Sequence, residues 1–497
     1  LTIALQLGLA LPPPGSRHVR RALHDQLRAA ILDGRLAPGL ALPPSRTLAQ
    51  DLGLSRTTVV TVYDLLLSEG YVVARTGAGT FVADTGSKAQ AGAAAGAPPP
   101  SGVRLNPALL APGGARAPTP PPEVAVNFRL GLPDTSGFPF DVWGRLYIRA
   151  LRAFARTQPG YREPAGRSAL RAAVAGHVSF TRAVACRAED IIITAGAQQA
   201  FDLLARVLVT PDRPVVAIED PGYASARGAF LAAGARLHPV PVDGEGLVVD
   251  ALPPDAAVVY VTPSHQFPLG VPLSPRRRQA LLAYAAVRGA VIVEDDYDGE
   301  FRYGGRPLDA LQTLDGGVRV FYVGTFSKSL FPALRLGFIA VPAWARDHVL
   351  RAKQVADWHA PVVEQDALAA FMAEGHLARH VRRMRAVYDD RRTALLGALA
   401  AHCGDLLDPV PAVAGLHLAT RFRRPLDADA VVARALAAGI GVESLANYAL
   451  RPTLGGPVSG DGLAGLVFGY GGVGVDAIAP AVSRLAAILR NAARSAG

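Results

Sequence analysis

The stretch from residue 85 to residue 122 constrains this chain most, because it cannot contribute to a core. It runs through AGAAAGAPPP and APGGARAPTPPP, almost all Ala, Gly and Pro, with no periodic apolar face. Such composition reads as a linker, so whatever folds must fold on either side of it. A chain of 497 residues also exceeds what one ordinary core can organise. The division expected is a small domain over 1–84, the linker over 85–122, and a large domain over 123–497.

Beyond the linker, short apolar runs such as DIIIT, PVVAIED, AAVVYVT and AVIVEDD alternate with longer amphipathic stretches. Buried β-branched runs separated by helical patterns indicate an α/β fold with a mostly parallel sheet covered by helices. No repeat of solenoid length is present.

Composition narrows the partners. Half the residues are hydrophobic and 19% are charged, yet no apolar run is long enough to span a bilayer. The opening LTIALQLGLALPPPG has no basic leader, and we read it as a lead-in packing on the first domain rather than a secretory signal. Two distant cysteines, Cys186 and Cys403, fit a reducing cytoplasm and argue against a disulfide framework or a zinc site. The net charge of +10 permits an anionic partner without establishing one. Lysine occurs only at Lys88, Lys328 and Lys353, arginine supplying nearly all the positive charge. A guanidinium cannot serve as the amine of a Schiff base, so covalent binding of an aldehyde has three candidate residues.

In the small domain, VRRALHDQLRAAILDGRL places Val19, Leu23, Leu27, Ala30 and Ile31 on one helical face. LPPSRTLAQDLGL reads as a proline-led helix through Leu48 and Leu52, stopped by Gly53. Ser55 then caps SRTTVVTVYDLLLSEG, which is expected to bury Val59, Val62, Leu66 and Leu67. Two helices joined by a short turn form a helix-turn-helix, and the start of its second helix faces the major groove. That start carries Arg56, Thr57 and Thr58, with Thr61 one turn on; Arg56 suits a bidentate pair with guanine, and the hydroxyls suit phosphates or base edges. YVVARTGAGTFVAD reads as two strands around a glycine-rich turn, a wing with Arg75 at its tip. The run GRLAPGLALPPSRTLAQDLGLSRTTVVTVYDLLLSEGYVVARTGAGTFV resembles the GntR-type winged helix throughout, with Pro44 where that family often has serine. The resemblance implies contacts to double-stranded operator DNA from Arg46, Ser55, Arg56, Thr58 and the wing tip at Gly77 and Gly79.

Four stretches of the large domain carry chemistry. ITAGAQQAFDLL leads a strand through Gly196, Ala197 and Gln198 into a helix, whose free N–H groups suit a phosphate. AVIVEDDYDGEF ends a buried strand in acids. A carboxylate there can bind a metal, act as a base or pair with a protonated ring nitrogen; histidines are not expected to gather nearby, which disfavours metal. Pyridoxal phosphate (PLP) requires such a partner for its pyridinium, and we assign Asp295 to it and Tyr297 to the cofactor's 3-oxygen. FYVGTFSKSLFPALRLGF offers an amine, Lys328, beside the hydroxyls of Thr325 and Ser327, with Arg335 seven residues on; amine for the imine, hydroxyls and guanidinium for a phosphate. Lys88 falls in the linker and Lys353 in a helix expected to be exposed, so elimination also points to Lys328. In AIEDPGYASAR, Tyr223 follows a turn and is placed to stack on the ring.

The order of phosphate turn, Tyr, Asp-x-Tyr, Ser-Lys and Arg resembles a fold-type I aminotransferase. EDDYDGEFRY, TPSHQFPLG, GTFSKSLFPALRLGF and HVRRMRAVYDDRR are similar to the MocR/GabR subfamily of GntR regulators. That resemblance implies a winged helix fused to an aminotransferase-like domain with a smaller C-terminal α/β subdomain. It further implies a Schiff base on Lys328 and a homodimer whose DNA-binding domains reach across to the partner subunit. Two departures stand out. TPSHQ replaces an aminotransferase's Asn-Pro segment, leaving the roles of Ser264, His265 and Gln266 open. In Gly465-Leu-Val-Phe-Gly-Tyr470, Val467 stands where many aminotransferases carry the arginine for the substrate carboxylate, with Arg451 or Arg421 as conceivable substitutes. The expected function is a cytoplasmic regulator sensing PLP or a small amine or amino acid; the alternative is a working aminotransferase with an appended DNA-binding domain.

Overall fold

The computed structural model describes residues 9–13, 16–84, 106–110, 124–158, 160–303, 309–450 and 463–496. The chain divides into two compact units, Leu1–Leu105 and Asn106–Gly497. The linker expected over 85–122, and Lys88 within it, lies outside the described residues apart from 106–110, where Pro107–Leu110 form a 3₁₀ turn.

In the first unit, helix Val19–Leu32 buries the five residues its periodicity indicates. Helix Ser45–Asp51 follows Pro44, and helix Arg56–Ser68 starts at Ser55, whose side chain accepts from the Thr58 N–H. The core face of that last helix corrects one expectation. Leu67 is 43% exposed, and Tyr63 is buried instead, its hydroxyl donating to the Pro43 carbonyl at 2.8 Å. Residues 59, 62, 63 and 66 make the i, i+3, i+4, i+7 stripe of a helix, and residue 67 falls outside it. Strands β1 (Val72–Arg75) and β2 (Gly79–Val82) pair antiparallel, with Arg75 opposite Gly79. Gly77 and Gly79 hold φ of +77° and +110°, the left-handed region a tight hairpin turn demands. Leu9 and Leu11 of the opening segment pack against this core, and the Ala10 backbone exchanges two hydrogen bonds with the Gln26 amide.

The second unit begins with the short β3 (Val126–Asn127) and is built on an eight-stranded sheet. Its strands are β4 (Ile191–Thr194), β5 (Val215–Asp220), β6 (Arg236–Asp243), β7 (Gly246–Leu247), β8 (Val258–Val261), β9 (Val291–Asp296), β10 (Val320–Thr325) and β11 (Gly337–Ala340). Their spatial order is β4-β11-β10-β9-β8-β5-β6-β7. Strands β10, β9, β8, β5 and β6 run parallel, whereas β11 is antiparallel to both its neighbours. The alternation within a strand shows why helices cover both faces. Val216 and Ile218 join a core with Phe201, Leu204 and Phe230 of helices 197–208 and 224–232. Val215 and Ala217 point the other way, into a core with Leu281 and Ala285 of helix 275–288. A second sheet, in the order β12 (Leu407–Pro409), β13 (His417–Phe422), β16 (Gly465–Gly469), β15 (Glu443–Ser444), carries the long helices His376–Cys403 and Val475–Ala496. The remaining short strand, β14 (Ile440–Gly441), pairs with β3. No helix among the described residues is long and apolar enough to cross a membrane.

Because β5, β8, β9 and β10 are parallel, their carboxyl ends open on one edge, where ligands of such sheets bind. That edge carries the acids of β9 and leads into the Lys328 loop.

Candidate functional site

In the first unit the start of helix Arg56–Ser68 faces solvent. Arg46, Arg56 and Thr57 are exposed, and Thr58 and Thr61 are half-buried. Two of the hydroxyls expected to face a ligand have local work. The Ser55 oxygen caps the helix and lies 2.9 Å from the Thr58 hydroxyl. Thr61 donates to the Thr57 carbonyl at 2.8 Å. Arg75 lies over the Phe81 ring at 4.6 Å, which leaves its guanidinium at the base of the exposed turn formed by Gly77 and Gly79.

In the second unit the three acids ending β9 separate by strand alternation. Glu294 accepts from the N–H groups of Leu311 and Gln312; its burial raises its pKa to about 7. Asp296 accepts from Arg182 Nε and from the Tyr322 hydroxyl, both at 2.6 Å. Asp295 points to the opposite face, where the Tyr260 hydroxyl donates to its Oδ2 at 2.6 Å. Its Oδ1 is buried with no partner among the described residues. Burial, opposed by the Tyr260 bond, raises the Asp295 pKa to about 7. An unpartnered buried carboxylate oxygen is costly and calls for a donor or cation from a ligand.

Lys328 carries the amine that feels this acid. Its amine donates to the Gly131 carbonyl at 2.8 Å, and burial lowers its pKa against the pull of Asp298 and Asp295. A side-chain carbon at Gly131 would sit 3.1 Å from the amine, so the backbone of residue 131 shapes the space around it. Lys353 differs from expectation: it is fully buried rather than exposed, its amine 2.5 Å from Asp357 Oδ1. A helix-surface position became a buried one because Asp357, four residues on, supplies the counter-charge. Lys353 is thus excluded as a reactive amine by its pairing, not by exposure.

Near the lysine, Thr325 and Ser327 hydroxyls lie 3.0 Å apart. Arg335, held at φ +51°, donates to the Ala195 carbonyl at 2.7 Å and packs on Gly196, where any side-chain carbon would come within 2.9 Å of it. Gly196 begins helix Ala197–Leu208 without a side-chain cap. Two hydroxyls, a guanidinium and uncapped N–H groups from Ala197 and Gln198 together suit a phosphate. The Gln198 side chain itself turns toward helix 224–232, to the Ser225 carbonyl at 3.2 Å. Tyr223 is half-buried, edge-on to Phe201 and Phe267.

The TPSHQ segment, left without a role by the sequence, is three pins. Ser264 accepts from Arg182. His265 Nδ1 lies 2.9 Å from Asp298 Oδ2 and 2.9 Å from the Tyr297 hydroxyl. Gln266 donates to the Pro221 carbonyl at 2.9 Å and accepts from the Leu269 N–H. His417 of β13 lies against His265 with ring centres 4.6 Å apart and the planes tilted by 46°. Histidines therefore do gather beside EDDYDGEF: His265, His417 and Asp298 form a buried trio. His417 lies more than a hundred residues from the other two, a separation that no local spacing bridges. The His265 nitrogen facing the acid is already hydrogen-bonded, so we describe the trio as a polar cluster. Tyr260, His265, Asp298 and His417 are the residues that motif reasoning missed or left unassigned.

Val467 lies on β16 between Ala419 and Glu443 of the neighbouring strands, in an apolar cluster with Leu269, Val271 and Leu445. Arg421 is exposed, and residue 451 lies outside the described residues. The cation adjoining Val467's neighbour is Arg129, 3.7 Å from Glu443.

Comparison with known proteins agrees with this geometry. Residues 20–82 match the family described as bacterial regulatory proteins, gntR family. Residues 131–447 match aminotransferase class I and II. The chain is 41% identical to the probable rhizopine catabolism regulatory protein MocR of Rhizobium meliloti, over 85% of each chain. It is 33% identical to the pyridoxine biosynthesis transcriptional regulator PdxR of Corynebacterium glutamicum, over 94% of each. Among solved structures, the α-aminoadipate aminotransferase LysN of Thermus thermophilus superposes with a TM-score of 0.67 at 29% identity, covering 75% of this chain and 94% of that one.

Proposed function

Since the chain belongs to the MocR-type GntR regulators, a winged helix-turn-helix joined to an aminotransferase class I and II domain, we propose that it binds PLP on Lys328 and reports ligand state to an operator. The carrying observation is the half-buried Lys328, whose amine is held by the Gly131 carbonyl and feels Asp295, a buried acid with one unpartnered oxygen. When bound, PLP supplies an aldehyde for the amine and a protonated ring that withdraws electrons. Asp295 Oδ1 would hold the ring proton, and Tyr260, donating to Oδ2, keeps the carboxylate aimed. Thr325, Ser327, Arg335 and the start of helix 197–208 would hold the phosphate. Tyr223 would cover the ring, and Tyr297 would address the 3-oxygen. In the small unit, Arg46, Arg56, Thr57 and the Gly77–Gly79 turn would contact double-stranded DNA.

We read the large unit as a sensor rather than a turnover enzyme. A transaminase must hold its substrate so that the bond to be broken stands perpendicular to the ring, a positioning effect of several kcal/mol. Here the expected cation is replaced by Val467 in an apolar cluster. A small amine or amino acid, or PLP itself, would then occupy the site long enough to shift a conformational equilibrium. The protein would act in the cytoplasm as a homodimer. Tyr161 and Trp358, exposed with ring centres 4.5 Å apart and planes tilted by 32°, offer an aromatic surface for a partner subunit. The test combines operator binding with product analysis of the full-length protein. PLP or an amino donor should change operator affinity, with no sustained release of keto acid. Multiple turnover at about 1 per second or faster would overturn the reading in favour of an enzyme.

A further inference from the structure

His265 and Asp298 lie behind the residue assigned to the cofactor's 3-oxygen, and their hydrogen bonds allow a count of protons. His265 Nδ1 is 2.9 Å from both Asp298 Oδ2 and the Tyr297 hydroxyl. The Tyr297 hydroxyl is also 3.0 Å from the His265 carbonyl, to which it can donate. One ring nitrogen carries at most one proton. The opposite nitrogen, Nε2, is buried with no partner among the described residues. A neutral imidazole protonated there would bury a donor without an acceptor, whereas a bare nitrogen leaves only an unused lone pair, the lesser cost. The proton therefore sits on Nδ1, and the carboxylate of Asp298 is its stronger acceptor. Nδ1 then cannot take the tyrosine's proton.

We propose that His265 is a positioning residue: with its Nδ1 proton committed to Asp298, its ring offers Tyr297 no acceptor, so the hydroxyl has only the His265 carbonyl to give up when it donates outward, to the 3-oxygen of the cofactor. The surroundings enforce this orientation. Gly415, at φ +85°, backs the ring so closely that a side-chain carbon there would fall 2.0 Å from Cε1. His417 lies beside it, its ring tilted by 46°, and stays neutral, since burial and His265 hold its pKa well below the usual imidazole value, so it brings no cation to compete for Asp298. The other titratable groups around Tyr297 are Glu219 at the end of β5, Asp295 and Asp296 of its own strand, and Lys328, which feels Asp295 and Asp298. All but Lys328 are acids, which disfavour a tyrosinate, so the hydroxyl keeps its proton and serves as a donor. A donor at the 3-oxygen stabilises that oxygen's anionic form and lowers the pH at which the Lys328 imine loses its proton.

The inference rests on the PLP reading of the site, and the experiment separates the two. The visible spectrum of the full-length PLP-loaded protein is titrated against pH for the unmodified chain, Asp298→Asn and His265→Asn. Asp298→Asn keeps the volume but removes the charge that fixes the proton on Nδ1, which admits the other histidine tautomer, whose bare Nδ1 accepts from the Tyr297 hydroxyl. The imine should then titrate higher, by about one pH unit, with PLP still bound; loss of the Asp298 charge alone would lower it, so a rise reads the lost hydrogen bond. His265→Asn retains an N–H near the position of Nδ1 and should titrate close to the unmodified protein. Asp298→Asn titrating like the unmodified protein would overturn the proposal, as would equal shifts in both variants, which would mark a merely structural role. If Asp298→Asn does not fold, Asp298→Ser, which removes the same charge, takes its place and is read in the same way against His265→Asn. An unmodified protein with no pH-dependent imine spectrum would instead overturn the PLP reading itself, and this inference with it.

Discussion

Arg46, Arg56 and Thr57 stand in solvent on a unit built from one continuous segment, whereas Asp295, Tyr260 and His265 are buried at a sheet edge and reach one another from distant parts of the chain. The contrast has a physical consequence. An exposed guanidinium keeps its charge whatever its neighbours do, so it can be removed with little effect on the fold. A desolvated carboxylate such as Asp295, with its pKa raised to about 7, owes its state to every group around it. The small unit can thus present a fixed surface, and the large unit is the one able to respond when a ligand changes the local charge.

The largest expected effect tests that division directly. Lys328→Ala should abolish the borohydride-trappable Schiff base and the visible absorbance of the PLP-loaded protein. With them should go any change in operator affinity on adding PLP. The small unit should keep its own thermal transition, because Lys328 contributes nothing to its core. A trappable imine surviving in Lys328→Ala would assign the chemistry elsewhere, although Lys353 is paired with Asp357.

The same contrast explains what the sequence made legible. The winged unit was readable almost residue by residue, since its caps, turns and stripes are local. The choice between Leu67 and Tyr63 failed, one position on a helical wheel, and Arg75, expected at the wing's tip, pairs with Gly79 at the base of the turn. In the large unit, the acids closing a buried strand led to Asp295 as a candidate, and the scarcity of lysine led to Lys328. What stayed hidden depends on tertiary distance. Tyr260 looked like any strand tyrosine, though its hydroxyl aims Asp295. His417 lies far along the chain from His265, the ring it packs against. Lys353 looked exposed because nothing in a helical period shows which face another helix will cover.

A smaller effect belongs to the other unit. Arg56→Ala should weaken operator binding by roughly 1–3 kcal/mol and relax base choice if the contact is bidentate to guanine. PLP content and spectrum should not change. A gel-shift titration at fixed salt checks the first part and absorbance the second. Unchanged affinity would take Arg56 out of the interface; altered PLP content would show that the two settings are not as separate as their burial suggests.

The smallest effect is the sharpest test of the exposed site, because it divides one residue's two roles. Ser55 is exposed, yet its oxygen accepts the Thr58 N–H at 3.2 Å and so begins the helix that carries Arg56. Ser55→Ala removes the cap at a cost of about 1 kcal/mol. In a domain this small, that should lower the first unit's transition by roughly 4–8 °C and leave the second unit's in place. Ser55→Asp should behave differently. Aspartate caps as well as serine, and its charge is favourable at a helix N-terminus, so the transition should stay where it is. The same carboxylate would face the phosphates of an approaching duplex, whose backbone charge dominates affinity, and operator binding should fall. Calorimetry of the full chain and a gel-shift titration of both variants therefore read stability and recognition separately. If Ser55→Asp bound operator as well as the unmodified protein, the start of this helix would not be facing DNA, and the exposed setting of Arg56 would need another explanation.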